Sequence, residues 1–525
     1  MSIVPPRRAG KLCLAAIMNN QVFQGTRKAS IMTMKENLLA TAASLVLCAQ
    51  GAAAADLPGK AAPADYVRVC DAYGAGFFFI PGTDTCLRIG GFVRADFIVN
   101  TSPGNRTNNN PAVPGAEILG TSYLNQNYST SIRLTLNVDA RSNTEYGLLR
   151  AFGQFSAYRG PFSGTFSTQG LVNSGAGQSP RASQINVERA FIQFAGITAG
   201  FSASFFNFYQ GDLQFLGNFA ASARSTTVLA YTASFGAGLS ATLAIEDAMY
   251  RRYSNGDSWY GTVTPAGTLM NSSLQRPLSG RQGLTYAGQQ IPDLVANLRV
   301  DQNWGSAQVM GALHQLRDFG YAGIVNVPTA RAGDRMGWAV GAGLRLSLDM
   351  VARGDVLWLQ GVYSDGALSY AFDSQVQGGD RDGIFGAGNL SGVNALSALL
   401  RDAVVANGAG GAPVPGDGRI MTTKAWSLTA GFRHFWTPAL RSAVFGQYAN
   451  IDQPGASTLS DVKYWSVGLN TIWSPVRNLD LGIEVNYHNI EARQQNGLPA
   501  VIQPSNTFRG QEGAWVGVMR VQRNF

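Results

Sequence analysis

Residues 131–141, Ser-Ile-Arg-Leu-Thr-Leu-Asn-Val-Asp-Ala-Arg, decide the fold. Ile132, Leu134, Leu136, Val138 and Ala140 fall on one face of an extended chain. Arg133, Thr135, Asn137, Asp139 and Arg141 fall on the other. Strict period-two alternation is the signature of a half-buried strand. A soluble sandwich alternates too, but its strands average ~5–6 residues and its polar face meets bulk water. A longer strand with a continuous apolar face fits the ~9–11 residues that a tilted strand needs to cross a bilayer.

The pattern recurs in both directions. Upstream, Leu87, Ile89, Val93, Ala95, Phe97 and Val99 oppose Arg88, Arg94 and Asp96. Near the end, Leu479, Leu481, Ile483 and Val485 oppose Asp480, Glu484 and Asn486. In full, strands are expected at 86–99, 130–141, 145–157, 185–195, 197–206, 227–234, 238–247, 293–301, 306–316, 336–348, 354–364, 426–435, 441–450, 463–473, 478–488 and 515–525. The connections after odd-numbered strands are long and rich in Gly, Asn, Ser and Pro, and those after even-numbered strands are short. A closed up-and-down barrel with external loops and tight periplasmic turns produces that alternation, whereas a soluble Greek-key protein has no reason to keep it. The expected fold is all-β: a sixteen-stranded antiparallel transmembrane β-barrel over residues 86–525.

Composition excludes the main competitor. Apolar residues make up 45% of the 525 and charged residues 14%, yet the body of the chain has no run approaching the ~20 apolar residues of a spanning helix. The N-terminus points to export. Met34-Lys35 precedes the apolar run Leu38–Leu47, and Ala52–Ala55 then precede Asp56, the layout of a signal peptide at 34–55 cleaved after Ala55. Residues 1–33 supply nothing a signal peptide needs and are read as translation upstream of the true start. Residues 1–55 hold six of the 40 Lys+Arg and one of the 32 Asp+Glu. The remainder therefore carries 34 basic and 31 acidic residues, net +3, which removes the main argument for nucleic-acid binding. After Asp56 only Lys60, Lys424 and Lys463 are lysines; the other bases are Arg, which suits fixed guanidinium groups in a structured polar interior.

Cys70 and Cys86, in the N-terminal segment 56–85 and at its border with the barrel, meet an oxidising compartment, where a disulfide is the expected state. Closing a loop of about 15 residues contributes on the order of 3 kcal/mol in the chain-entropy model. The alternative, a metal pair or redox dithiol, lacks C-x-x-C spacing and a nearby His. No metal, cofactor or catalytic group is expected. His314, His434 and His488 are isolated, and HExxH, GxSxG and P-loop motifs are absent.

The stretch Cys70-Asp-Ala-Tyr-Gly-Ala-Gly-Phe-Phe-Phe-Ile-Pro-Gly-Thr-Asp-Thr-Cys86-Leu-Arg-Ile-Gly-Gly-Phe-Val-Arg94 resembles the N-terminal signature of the alphaproteobacterial (Rhizobiales-type) outer-membrane porin family. Gly354-Asp-Val-Leu-Trp-Leu-Gln-Gly-Val-Tyr363 resembles a second block of that family. The resemblance implies a homotrimer in outer-membrane lipid, passive diffusion of small hydrophilic solutes, and a third external loop folded into the lumen. The final strand, 515–525, has Trp515, Gly517, Met519, Val521 and Phe525 in register, and its terminal aromatic resembles the signal read by the outer-membrane assembly machinery. The sixth loop, 365–425, is a departure, with a possible helix at Asn394–Val405.

In a porin the site is the narrowest part of the channel. With apolar positions facing lipid, Arg94, Asp96, Arg133, Arg150 and Arg189 point inward, since a guanidinium on the lipid face costs about 2–4 kcal/mol at mid-bilayer. The loop Asn207–Asn218 is the candidate constriction, with Asp212 its sole acid. A basic wall facing an acidic loop gives a transverse field and a mild anion preference. The competing reading is that these arginines pair with Asp96, Asp139 and Glu188 and brace the wall. Two other functions stay open. A sugar-selective pore would use inward aromatics, here Phe92, Phe152 and Phe445, and a structural or adhesive barrel would have an occluded lumen. N-terminal sequencing of the mature protein is expected to begin near Asp56; a start at Ser2 would contradict the export reading.

Overall fold

The computed structural model describes residues 68–100, 128–159, 183–253, 262–263, 269–270, 286, 288–317, 333–373, 400–405, 420–454, 460–494 and 510–525. The expected extension at 1–33 and signal peptide at 34–55 lie outside the described residues. Sixteen long strands follow one another: β1 Cys86–Asn100, β2 Tyr128–Thr144, β3 Gly147–Arg159, β4 Ser183–Phe194, β5 Ile197–Ala203, β6 Ser225–Gly236, β7 Leu239–Glu246 and β8 Asp293–Gln302. Then come β9 Gly305–Arg317, β10 Asp334–Ser347, β11 Val356–Asp365, β12 Lys424–Thr437, β13 Leu440–Asp452, β14 Ser460–Val476, β15 Leu479–Gln494 and β16 Gly510–Asn524.

Each strand pairs antiparallel with the next. β16 pairs back onto β1, from Phe92 opposite Asn524 to Asn100 opposite Val516. Phe525 completes the seam, exchanging both backbone hydrogen bonds with Gly91 at 3.0 Å. The sheet is closed, and no edge is left for water to solvate. All sixteen expected strands are present, with ends moved by a few residues. The one marked shortening is β5, which stops at Ala203 rather than 206.

Period two governs the faces as expected. Ile132, Leu134 and Leu136 are exposed on the outside, while Arg133 and Thr135 are buried within. The exposed outer face includes Trp426, Trp465 and Trp515, with Trp426 packed on Tyr448 (5.0 Å between ring centres) and Tyr487 between Trp465 and Trp515 (5.3 and 5.0 Å). Apolar bodies with polar tips suit the two interfaces of a bilayer. Phe206 and Trp358 do not belong to this outer band. Phe206 lies beyond the end of β5 and is fully buried, and Trp358 shares the inward face of β11 with Gln360.

At the start of β1 the chain doubles back, and Phe78–Phe79 pairs with Leu87 and Cys86. The Cys70–Cys86 disulfide spans 6.0 Å between Cα atoms and is buried with Phe77. Arg141, inward on β2, places its guanidinium 4.9 Å over the Phe77 ring. The helix expected at Asn394–Val405 is not found over its described part. Ala403–Val405 is extended and pairs with Ile420–Thr422, as β-branched Val404, Val405, Ile420 and Thr422 favour.

Gly91 shows how closely β1 and β2 approach: a Cβ there would fall on the carbonyl oxygen of Thr135. Gly91→Ala is expected to push apart the strands beside the seam at a cost of about 1–3 kcal/mol or more. The check is the temperature at which the folded barrel loses its compact migration on SDS gels; an unchanged value would refute it.

Candidate functional site

The connection between β5 and β6, residues 204–224, is not a free surface loop. Its ends meet where Ser204 N–H donates to the Arg224 carbonyl at 2.9 Å, and a turn follows as Phe206 N–H donates to Ser204 Oγ and Asn207 N–H to the Ser204 carbonyl. From there its backbone is hydrogen-bonded to inward-facing side chains of strand after strand. Phe205 N–H donates to Glu246 of β7, and its carbonyl accepts from Asn297 of β8 and Gln308 of β9. Tyr209 N–H donates to Gln360 of β11 (2.7 Å), and the Leu213 carbonyl accepts from Asn470 of β14 (2.6 Å). Phe215 and Leu216 both donate to the buried Glu484 carboxylate of β15, which also accepts from Asn470 and Asn486. Phe219 and Ala220 donate to Gln447 of β13, and the Ala220 carbonyl accepts from Thr429 of β12. Irregular backbone buried in protein must find partners of this kind, because no regular ladder supplies them.

The arginines expected inside fall into two groups. Arg133 is 4% exposed and ion-paired with Glu188, which also accepts from Tyr158. Arg150 and Arg141 both clamp Asp139. Asp96 accepts both arms of Arg520 across the β1–β16 seam (2.6 and 2.9 Å), and Arg520 also reaches the Phe215 carbonyl of the loop. Arg94 donates to Gln522 at 2.9 Å and lies over the Phe92 ring. Arg189 behaves differently. It reaches Gln210 of the loop at 3.4 Å and belongs, with Arg345 and Arg433, to the guanidinium groups whose fields act on Asp212.

Arg345 of β10 and Arg433 of β12 were not among the expected site residues. Arg345 donates to Ser347 and lies 5.7 Å over Trp358; Arg433 donates to the Gly354 carbonyl. Arg189, Arg345 and Arg433 hydrogen-bond to neutral groups; their fields act on Asp212 and, for Arg345 and Arg433, also on Asp301 and Asp355. Parity could have flagged both: Arg345 alternates with Leu344 and Leu346, and Arg433 with Phe432. His314, inward on β9, is enclosed by Asp293 and Tyr286 as a satisfied wall residue. Among the described residues no group of His, Cys, Asp and Glu is arranged to hold a metal ion.

A closed antiparallel barrel with an apolar outside and an interior lined by guanidinium and carboxylate groups is an outer-membrane channel protein. Residues 55–518 match the porin subfamily, and the chain belongs to it. It is a porin of the outer membrane, a diffusion channel. Porin Omp2b of Brucella canis is 32% identical over 327 residues, which cover 60% of this chain and 81% of that protein. Porin Omp2b of Brucella suis is 33% identical over 286 residues, 52% of this chain and 64% of that protein's length. The outer membrane channel DcaP of Acinetobacter baumannii shares the fold, with a TM-score of 0.52, 14% identity, and coverage of 85% of this chain and 99% of that one.

Breaking one buried pair tests the bracing role of the first group. Asp96→Ala leaves Arg520 buried without its carboxylate, an expected loss of about 3–5 kcal/mol. A lowered urea midpoint of the refolded barrel in detergent checks it, and wild-type stability would mean the pair does not brace the seam.

Proposed function

We propose that this porin is a general diffusion channel for small hydrophilic solutes and ions, in which residues 204–224 fold into the lumen as the constriction. One observation carries the reading: Arg189 reaches Gln210, two residues before Asp212, the sole acid of that segment, and the fields of Arg189, Arg345 and Arg433 act on its carboxylate. Opposed charges across a narrow section give a transverse field that orients dipolar solutes and filters them by charge. Three cations against one carboxylate set a mild anion preference. That preference weakens with salt, because the screening length falls from ~10 Å at 0.1 M to ~3 Å at 1 M.

Arg133 and Arg150, held by Glu188 and Asp139, then contribute mainly to the wall, and Arg94 and Asp96 line it near the seam. A sugar slide finds little support, since Phe92, Phe152 and Phe445 stand on β1, β3 and β13 and form no continuous track. The channel is a homotrimer inserted in outer-membrane lipid, matured by removal of residues 34–55. Its assembly machinery reads Phe525, which is exposed and shares the outward face of β16 with Trp515, Met519 and Val521.

Zero-current potentials under a KCl gradient test the site. Arg345→Ala and Arg433→Ala are expected to shift selectivity toward cations, Asp212→Asn toward anions, and Arg133→Ala to leave it nearly unchanged while destabilising the barrel. Unaltered potentials in both Arg345→Ala and Arg433→Ala would overturn the assignment. Single-channel conductance that rises with salt without saturation supports general diffusion. Blockade by one sugar would indicate a selective pore, and absence of conductance a structural barrel.

A further inference from the structure

The sixth connection, between β11 and β12, contributes three described pieces: 366–373, 400–405 and 420–423. We propose that this loop also folds inward and holds the third connection in place, with Asp373 and Asp402 as positioning residues. The narrow section of the channel would then be set by two loops. This rests on the reading of residues 204–224 as the constriction.

Asp373 makes the direct link. Its carboxylate accepts from Arg224 Nε and Nη2 at 2.9 and 2.6 Å, and both side chains are nearly sealed from solvent (2% and 6% exposed). Its backbone N–H donates to the Phe219 carbonyl at 2.8 Å, so the sixth loop bonds the last third of the third loop through main chain and side chain together. Around this link, Tyr370 sets its ring edgewise against Phe206 (4.7 Å), and Phe372 and Phe219 both pack on Tyr464 of β14. Arg251, from the short 3-10 turn Ala248–Arg251 of the fourth connection, donates to Ser222 Oγ at 2.7 Å. It also lies 4.0 Å over the Tyr370 ring.

Asp402 ties the pieces of the sixth loop to each other and to the fourth connection. Its two oxygens accept from Leu368 N–H (2.9 Å), Tyr253 N–H (2.6 Å) and Tyr286 O–H (2.7 Å), and its side chain has no exposure. Tyr286 also meets His314 Nε2 of β9 at 2.9 Å. Asp293 of β8 meets His314 Nδ1 and accepts from Tyr370 O–H, both at 2.7 Å. An external loop that merely capped the mouth could leave its carboxylates in water. Burying two of them is unfavourable unless partners are fixed in place, and those partners lie on the third and fourth connections. The wall carries the third loop as far as Ala220 through Gln360, Glu484 and Gln447, and Asp373 joins it at Phe219 and holds its end at Arg224.

The test uses the folded full-length barrel in planar bilayers. Asp373→Asn and Asp402→Ala are each expected to lower the voltage at which channels close and to broaden the spread of unitary conductance. Compact migration on unheated SDS gels serves as the folding control. The anion preference should keep its sign, because Arg345 and Arg433 are untouched. Correctly folded variants that both keep the wild-type closing voltage and conductance spread would refute the positioning role. A measurement on the wild type guards against variants that fail to fold. The Asp373 amide should exchange with deuterium as slowly as strand amides, and rapid exchange would equally overturn the proposal. Failure of the constriction reading shows separately, as selectivity that ignores Arg345→Ala and Arg433→Ala in the otherwise wild-type channel.

Discussion

Inside a hydrocarbon layer a backbone N–H or C=O without a partner costs several kcal/mol, so a sheet that crosses it must have no edge. The contact on which this protein depends is therefore the seam between its first and last strands. There β16 pairs with β1 and the terminal Phe525 exchanges hydrogen bonds with Gly91. Gly91 permits this because the neighbouring Thr135 carbonyl occupies the space a side chain would need. Arg520 and Asp96 add a buried ion pair across the same junction. The seam thus combines backbone pairing, a steric requirement for glycine and a charge pair in one place.

Closure fixes what the interior can be. With apolar side chains turned to lipid, the polar half of every strand faces inward, and that half becomes a bed of hydrogen-bonding groups. Residues 204–224 use it as a loop on a soluble protein would use water. Glu484 and Gln447 each accept two consecutive backbone N–H groups from it. Buried irregular backbone is ordinarily unfavourable because its polar groups go unpaired. Here the wall supplies the partners, which makes the loop's course specific rather than merely tolerated.

The same inward face carries arginines paired with carboxylates and arginines whose hydrogen bonds go to neutral groups. Arg133, Arg141, Arg150 and Arg520 are paired with wall carboxylates, Glu188, Asp139 and Asp96. Arg189, Arg345 and Arg433 hydrogen-bond to neutral groups, and their fields act on Asp212 of the loop and, for Arg345 and Arg433, also on Asp301 and Asp355. A transverse field needs charges kept apart, whereas a stable wall needs them together.

The sequence by itself determined the sixteen strands, their faces and the alternation of long and short connections. A transmembrane strand shows its period directly in residues such as 131–141, and turn length follows from which side of the membrane it lies on. It also determined that Cys70 and Cys86 would pair. The level of each side chain and the identity of its neighbours were decided only by the tertiary structure. Asp96 and Arg520 meet across 424 positions of sequence, and Arg224 and Asp373 across 149. Period two says which face a residue takes and nothing about what stands opposite. Arg133 and Arg345 therefore looked alike as sequence, and only the closed barrel gave one a carboxylate and the other Ser347 and the ring of Trp358.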